Sequence, residues 1–458
     1  MIQPNQQSSY TKTLGLAILL ALPAWAQSTD QQTTDQKIQE LQQKVEDLDQ
    51  RLKVADRKQE IQAEDAAARA KTGASVATDT GFIIRSNDGN FSIRFGADLQ
   101  IDNRTFLDGS SSSSTDQILL RRVRPTLSGT VYKYIDYYVR PDFGLGSVVL
   151  YEAYVQLNYF SRANLRVGKF KPPVGLERLQ SDDDTSFIER ALPTLLVPSR
   201  DIGYQIGGDL VKRRAAFQAG VFNGVPDNGL SDASPSSHRD YAARIFLTPF
   251  LPETKNPLSG LGVGISATSG SVDGIALASY KTFGQNTFFS FASGVTLAGH
   301  RTRLAPQAYY YLGPFGAIAE YTLSEEGLQK GTVRRDIAFR AWQIGASYVL
   351  TGEKKGFTSP VPRKAFDPHN HGWGAVELAV RTSDFSAEQG IYNYGFASPT
   401  TTPRHAREWV GGVNWYLNRM LRISMDYGNT NFGGGATVAA GGNRPSEKAL
   451  LQRFQINF

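Results

Sequence analysis

The sequence predicts an all-β protein, a sixteen-stranded antiparallel transmembrane β-barrel that is preceded by a short coiled-coil helix. From residue 81 onward, apolar and polar residues alternate with the period of two that belongs to a strand. Aromatic residues make up 11% of the chain and there are 44 glycines, which favours strands and turns. Beyond residue 26 there is no run of about 20 apolar residues, the length that a membrane-spanning helix needs.

The first 26 residues have the pattern of a secretory signal peptide. Lys12 supplies the positive charge, Leu14–Leu22 the apolar stretch, and Ala24–Ala26 an A-x-A cleavage site. A buried amino-terminal helix is the alternative interpretation. We expect residues 1–26 to be removed on export.

Residues 27–72 are predicted to form a coiled-coil segment. They include no Gly, Pro, Phe, Tyr or Trp, and their apolar residues are spaced alternately by three and four. These residues are Ile38, Leu41, Val45, Leu48, Leu52 and Ala55. About three heptads are marginal for a lone helix, so we expect self-association, with a single solvated helix as the alternative. Residues 73–90 form a linker that leads into the barrel.

Two segments show the strand alternation most clearly. From Phe91 to Ile101 the odd positions are apolar, while the even positions include Ser, Arg, Asp and Gln. The last segment, which ends at Phe458, repeats the pattern. A tilted strand needs roughly 9–11 residues to cross a bilayer. Residues 91–458 are therefore predicted to be the barrel.

Sixteen strands are predicted, and an even number places both ends of the barrel on one side of the membrane. They are expected near residues 91–106, 118–130, 131–143, 148–160, 163–171, 201–212, 214–223, 239–249, 260–269, 301–312, 315–325, 335–350, 373–384, 405–417, 420–432 and 448–458. Alternate connections are mostly short, and those on the other side are mostly long and polar. Since short turns face the periplasm in outer-membrane barrels, both termini and the coiled coil are predicted to be periplasmic.

Composition argues against an enzyme and against cofactors. The chain has no Cys and only five His, so thiol catalysis is excluded and metal sites are poorly supplied. His369 and His371 lack a clear third ligand, and Gly262-x-Gly264 lacks the helix of a dinucleotide site. The net charge of +6 is spread around the barrel, so nucleic acid is not an expected partner.

Several motifs between residues 119 and 204 carry a family resemblance. They are Leu120-Arg121-Arg122-Val123-Arg124, Tyr137–Gly144, Tyr151–Val155, Leu165–Pro173 and Ser186–Pro193. Together they resemble the phosphate-selective porin O and P family of Gram-negative outer membranes, over roughly residues 90–458. The resemblance implies a sixteen-stranded trimeric porin whose third long loop folds into the lumen.

The loop at residues 172–200 has its own pattern. Ser186 and Glu189 form a capping box for a short helix that Pro193 would end. An apolar face would pack on the inner wall while charged residues meet the channel; an ordinary surface loop is the alternative. The apolar residues are Phe187, Ile188, Ala191 and Leu192. The candidate constriction residues are Arg178, Asp182, Asp183, Asp184, Glu189 and Arg190.

Inward positions of the predicted strands supply candidate pore-wall residues. The basic ones are Arg122, Arg124, Arg140, Arg214, Arg244, Arg303, Arg381 and Arg422, with Arg94, Arg104 and Arg453. The acidic ones are Asp98, Asp102, Asp142, Glu152, Asp209, Glu320, Glu377, Glu408 and Asp426. The wall is thus mildly cationic. Because the family resemblance implies a lysine about where this chain has Asp182–Asp184, we expect these acids to repel anions and to leave only a modest anion preference.

The predicted function is an outer-membrane porin with a water-filled channel for passive diffusion of small solutes and a mild preference for phosphate-like anions. Expected partners are membrane lipid and lipopolysaccharide, the barrel assembly machinery, further copies in a homotrimer, and small anions as permeants. A structural or adhesive barrel without significant conductance is the alternative. An exported soluble all-β binding protein is a third possibility.

Overall fold

The computed structural model describes residues 30–72, 74–77, 82–107, 114–211, 213–234, 236–251, 253, 255–435 and 444–458. The predicted signal peptide, residues 1–26, lies outside the described residues. The chain divides into a helical unit that ends at Lys71 and a β unit that begins at Thr72.

The helical unit contains helix α1, Asp30–Thr72. Exposed ion pairs one turn apart support it, such as Lys44 Nζ to Glu40 Oε1 at 2.7 Å. All side chains described along it are exposed, including the predicted heptad residues. Leu41, Leu48 and Leu52 are each about 60% exposed, so the apolar stripe is uncovered.

The strands of the β unit are β1 (Ala74–Ala77), β2 (Phe82–Ser86), β3 (Ser92–Leu107), β4 (Gln117–Val131), β5 (Ile135–Asp142), β6 (Val149–Phe160), β7 (Ala163–Phe170), β8 (Asp201–Val211), β9 (Ala215–Phe222), β10 (Asp240–Leu247), β11 (Leu261–Ala276), β12 (Tyr280–Lys281), β13 (Thr287–Phe289), β14 (Val295–Leu312), β15 (Phe315–Lys330), β16 (Val333–Val349), β17 (Ala375–Ala387), β18 (His405–Tyr416), β19 (Leu421–Gly433) and β20 (Glu447–Asn457). Two short helices, α2 (Leu176–Leu179) and α3 (Gly390–Asn393), lie in connections. No helix in the described part of the chain is both long and apolar enough to span a membrane.

Sixteen of the described strands, β3–β11 and β14–β20, form a closed antiparallel barrel, because β20 pairs with β3. Closure pairs the backbone groups that an open sheet would leave at its edges. β2 continues the wall by pairing with the start of β3, and β1 pairs with β2. The predicted strand number and barrel are confirmed.

Alternation along each strand separates the two faces of the barrel. In β3, Asp98, Gln100 and Asp102 are fully buried inside, whereas Phe95 on the other face is 46% exposed. Apolar residues outside and polar residues inside are what surrounding hydrocarbon and a polar lumen require.

The connections differ between the two ends of the barrel, as predicted. Residues 161–162 and 313–314 are two-residue turns, whereas residues 171–200 and 388–404 form long loops on the opposite side. The predicted loop at 270–300 is shorter than expected, because β11 and β14 extend into it. On the long-loop side, β15 and β16 are joined by a tight turn at 331–332.

A β-bulge interrupts the alternation in β4. Gln100 faces Arg122 and Ile101 faces Leu120, which leaves Arg121 as an extra residue. Arg121 therefore joins Arg122 inside the barrel instead of facing lipid. Pro125 and Pro306 lie within predicted strands, and proline has no backbone N–H to donate to a neighbouring strand, so irregular pairing is expected at both. However, Pro125 pairs regularly with Ala97, and the pairing is interrupted at Pro306 without a change of register.

Three connections fold into the barrel and fill much of it. Residues 171–200 and 277–294 enter from the long-loop side, and the segment around Phe357 and Ser359 reaches the first of these from the other side. Tyr280, Phe288 and Phe289 pack on Phe339 and Phe385 of the wall. Apolar residues of the loop at 171–200 join the same core: Leu192, Leu195 and Leu196.

Candidate functional site

The connection at residues 171–200, here called the inward loop, crosses the barrel to the wall formed by β17–β20. Between Thr185 and Glu189 its backbone groups bond to wall side chains instead of to each other. The bonds join Ile188 N to Asp426 (2.6 Å), Ser186 O to Asn414 (2.8 Å), Thr185 O to Arg422 (2.9 Å), Ile188 O to Arg453 (2.8 Å) and Glu189 O to Arg381 (3.1 Å). These bonds satisfy the hydrogen-bonding groups of the buried backbone, so the segment does not need the internal hydrogen bonds of a helix.

The prediction of a short helix capped by Ser186 is wrong, because the wall side chains bond to the backbone of this segment. Residues 186–191 are not helical; α2 lies earlier, and a 3-10 turn follows at Leu192–Leu196. Ser186 Oγ donates to Glu377 of β17, and Glu189 reaches the arginines of β3 and β4. The four residues predicted to form its apolar face are nonetheless buried.

Asp182 lies among four arginines from the wall and from the inward loop. Its Oδ2 is 2.5 Å from Arg124 Nη1 and its Oδ1 is 2.6 Å from Arg190 Nη2. Arg122 and Arg200 are at 3.7 and 4.0 Å. Burial alone would raise the pKa of Asp182, but the surrounding guanidinium groups hold the pKa well below its ordinary value. Asp182 is a paired carboxylate that fixes the loop to β4.

Asp183 and Asp184 are also engaged. Arg140 Nη2 lies 3.4 Å from Asp183 Oδ2 and 3.3 Å from Asp98 Oδ2, so it joins the inward loop to β3. Burial raises the pKa of Asp183, but Arg140, the hydrogen bond with Asp98 and the charge of Arg124 together outweigh burial, and the net shift of the pKa is downward. Asp184 Oδ1 accepts from Ser359 N at 2.8 Å. The sequence predicted that these three acids repel anions. In the structure each of them has a partner, which is an arginine for Asp182 and Asp183 and a backbone N–H for Asp184.

Glu189 shows the effect of the β4 bulge. Arg121 contacts it through two nitrogens, Nε at 2.7 Å and Nη2 at 3.2 Å, and Arg104 Nη2 lies 3.0 Å away. Burial disfavours the charged carboxylate, but these arginines lower the pKa of Glu189 below its ordinary value. The predicted pore wall omitted Arg121, because strict alternation places its side chain on the outer face of the barrel. The two adjacent arginines, Arg121 and Arg122, were the feature of the sequence that indicated a bulge.

Arg190 and Arg178 have different surroundings. Arg190 pairs with Asp182 and also donates to the backbone carbonyls of Glu177 and Gln180. Arg178 Nη2 donates to Thr194 O and, at 2.8 Å, to Asn228 Oδ1, neither of which is an acid. Burial and the nearby Arg190 lower the pKa of Arg178 to about 10, so it remains charged at neutral pH.

The predicted wall arginines divide into groups. Arg122, Arg124 and Arg140 lie beside the inward loop, and Arg381 and Arg422 hold its far end. Two others bond elsewhere on the wall: Arg303 to Asp227 and Asp240, and Arg244 to Gln307.

Arg214 is a correction to the predicted pore wall. It lies in the turn before β9, with half of its side chain exposed, and pairs with Glu253. The prediction extended the alternation one residue beyond the strand, which begins at Ala215.

A cavity of about 310 Å³ lies between β4, β6 and the inward loop, and we call it the arginine-lined cavity. Among the described residues, its basic lining is Arg121, Arg122, Arg124, Arg178, Arg190 and Lys281, and its acidic lining is Asp142, Asp182 and Glu189. Tyr151 also lines it and lies between two guanidinium groups, with Arg124 and Arg200 at 3.7 and 3.8 Å from the ring centre. The lining has an excess of positive charge, which favours anions.

Known proteins resemble the chain in sequence and in fold. The family profile described as phosphate-selective porin O and P matches residues 91–458. Porin O of Pseudomonas aeruginosa is 26% identical over 383 residues, which cover 77% of this chain and 86% of that protein.

Two solved structures share the fold. The outer membrane channel DcaP of Acinetobacter baumannii has a TM-score of 0.54 at 10% identity, over 82% of this chain and 100% of that one. An anion-selective porin from Comamonas acidovorans has a TM-score of 0.52 at 11% identity, over 80% and 100%. The match over the whole barrel, on a closed sixteen-stranded sheet with an inward loop, identifies the chain as an outer-membrane porin of the phosphate-selective porin O and P family.

Proposed function

We propose that this porin is a passive channel that prefers small anions. The observation that carries the proposal is the arginine-lined cavity, where six basic residues meet three acidic ones among the described lining. In a narrow lumen water screens charge less than at an open surface, so this excess acts on passing ions. The anion selectivity named for the Comamonas acidovorans porin is consistent with it.

Arginine side chains continue along the inner wall beyond the cavity. Arg140 of β5 follows Arg124 at the contact between the inward loop and β3, and Arg166 of β7 stacks on Tyr154 at 4.4 Å. A succession of positive charges offers an anion repeated favourable positions, and several weak sites permit release as well as binding.

The proposal includes a homotrimer whose helical segment, residues 27–72, lies in the periplasm. Its support is the uncovered apolar stripe of α1, because identical helices gain by packing around one axis. The barrel would reside among lipid and lipopolysaccharide after insertion by the barrel assembly machinery. The basic residues of the cavity attract permeant anions, and no residue of the cavity is assigned a catalytic role.

Planar bilayer recording tests the anion preference. The purified protein should give discrete conductance steps. In a KCl gradient, the sign of the reversal potential should show that anions are more permeant than potassium. The preference should be larger at low salt, because the screening length increases from about 3 Å at 1 M to about 30 Å at 0.01 M. Replacing both Arg122 and Arg178 with Gln should move the reversal potential toward cations. Absence of conductance would favour a structural or adhesive barrel instead.

A further inference from the structure

The inward loop is also held from the side of the barrel that carries the short turns, by part of the β16–β17 connection. We call residues 353–359 of this connection the strap. Ser359 N donates to Asp184 Oδ1 at 2.8 Å, and Ser359 Oγ donates to the Asp183 carbonyl at 3.1 Å. The strap therefore bonds directly to the part of the inward loop that contains its consecutive acids.

Lys355 is the charged contact of the strap. Its Nζ lies 2.8 Å from Glu377 Oε1 of β17 and donates to Ser186 Oγ at 3.0 Å. Ser186 Oγ donates in turn to the same Glu377 oxygen at 2.9 Å. Lys355 is 3% exposed and Glu377 is fully buried, so the loss of either would leave a buried charge without its partner. One lysine thus joins the strap, the inward loop and the wall.

The wall makes room for Lys355 at Gly316 of β15. A Cβ at that position would lie 2.7 Å from Lys355 Cγ, which is too short for a side-chain contact. The backbone of the strap is fixed nearby, since Lys355 N donates to the Gly313 carbonyl at 2.8 Å. Phe357 packs near Tyr309 of β14, with 5.7 Å between the ring centres. The strap is therefore attached to the wall as well as to the inward loop.

We infer that the strap positions the inward loop and thereby sets the charge that permeating ions meet, with Lys355 as its main positioning residue. The inference rests on the proposed anion channel, because it identifies what fixes the selectivity of that channel. Irregular backbone inside a barrel needs hydrogen-bond partners from its surroundings. The strap bonds to residues 180–184, and the wall at β17–β20 bonds to the residues that follow. Release of the strap would free the acids that it holds to face the lumen.

A thiol reporter tests the position of the inward loop without any measurement of conductance. The chain has no cysteine, so Thr185→Cys introduces a single thiol next to Ser186, at a residue that is 4% exposed. In detergent solution, a negatively charged methanethiosulfonate reagent should modify this thiol slowly, as followed by mass spectrometry. Addition of Lys355→Met should raise the rate about tenfold, the change that about 1.4 kcal/mol makes in a local opening equilibrium.

Matched variants separate the strap from general effects. Lys354→Met removes the same charge from the exposed neighbour of Lys355 and should leave the rate unchanged. Gly316→Ala changes no charge but places a methyl group against Lys355 Cγ, so it should raise the rate. Gly345→Ala adds the same methyl group on β16, at a contact distance of 3.4 Å from Ile318 Cγ2, and should not raise it. All four proteins should keep the heat-modifiable gel migration of a folded barrel.

Bilayer recording connects the strap to selectivity. Lys355→Met should move the reversal potential toward cations further than Lys354→Met does, although each variant loses one positive charge. Its open channel should also show larger current fluctuations, because the inward loop is less firmly held. Gly316→Ala should move the reversal potential in the same direction without any change in the charge of the chain.

The outcomes separate this inference from the proposed function. Modification rates that stay at the reporter's own value in both Lys355→Met and Gly316→Ala would overturn the inference. Faster modification with equal reversal potentials for Lys355→Met and Lys354→Met would contradict the link to selectivity. A wild type without anion preference would contradict the proposed function, and the modification rates would still decide whether the strap positions the loop.

Discussion

At the residue scale, the acids of the inward loop fix the loop to the wall. Asp182 accepts from Arg124 and Arg190 and has Arg122 and Arg200 within 4.0 Å. A buried ion pair adds little net stability compared with apolar packing, but removal of one partner leaves the other uncompensated. Removal of the Asp182 carboxylate would leave several buried arginines without a compensating negative charge.

We expect Asp182→Asn to have two effects. The barrel should lose about 3–5 kcal/mol of stability, the cost of breaking a buried pair, and the reversal potential should shift toward anions because the arginines are unmasked. Heat-modifiable gel migration and bilayer recording measure them. Asp184→Asn is the control, since Asp184 accepts from a backbone N–H of Ser359. Equal effects in the two variants would contradict the role of the arginine cluster.

The carboxylates also predict a pH dependence. Glu189 and Asp182 have pKa values lowered from the ordinary 4.5 and 3.8. Their stabilising contribution is therefore complete above about pH 4.5 and is lost as the pH falls through the folded-state pKa. The contribution of these two carboxylates to the thermal midpoint should be constant from pH 7 to about 5 and should decline below about pH 4.

Glu189→Gln tests the origin of this acid sensitivity. The variant should start from a lower midpoint at pH 7 and should lose less on acidification, because one of the titrating groups is gone. Thermal scans in detergent from neutral to strongly acidic pH measure both quantities. Parallel curves for wild type and variant would show that other carboxylates cause the acid loss.

At the scale of elements, helix α1 presents an apolar stripe that nothing in its own unit covers. Leu41→Asn with Leu48→Asn should weaken the predicted association, so that the trimer dissociates at a lower temperature while single-channel conductance stays the same. Light scattering in mild detergent and unboiled gels measure this. Lys44→Asn on the polar face is the control, and deletion of residues 27–72 should resemble the double variant. A monomeric wild type would contradict the proposed trimer.

The β4 bulge changes which side chains face the lumen. Without the extra residue, Arg121 would face lipid, where an arginine costs about 2–4 kcal/mol at the bilayer midplane. With the bulge, two consecutive arginines lie inside the barrel. Arg121 pairs with Glu189, and Arg122 lies near Asp182. Bulges of this kind redirect a side chain at a functional site.

At the scale of the whole molecule, the carboxyl terminus closes the barrel. Phe458 exchanges two backbone hydrogen bonds with Ala97, at 3.0 and 3.1 Å. We expect Phe458→Ala to lower the outer-membrane yield, because the strand that the insertion machinery is proposed to engage loses its terminal aromatic residue. Single-channel conductance should stay unchanged. Quantitative immunoblots of membrane fractions measure the yield. Asn457→Ala is the control, and equal yields of all three proteins would contradict the prediction.

The barrel was predictable because its determinants are local. The period of two, the strand lengths and the turn asymmetry each act within about ten residues, and the lipid environment makes them strict. Sixteen strands and most inward arginines follow from these patterns. The inward folding of the loop was expected instead from the family resemblance and from the apolar residues of the loop. The family resemblance of residues 119–204 agrees with the family to which residues 91–458 belong.

The sequence pattern alone sets the strand alternation, the closed barrel and the cationic wall. The partners of the loop acids, the bulge at Arg121 and the strap beside the inward loop depend on contacts between residues far apart in the chain. Ser186 and Glu189 show why: their local pattern favours a helix worth about one kcal/mol of capping, yet Glu377, Arg104 and Arg121 offer buried charged partners instead. The wall supplies stronger bonds than the helix would, so the fold of the barrel determines the shape of the loop.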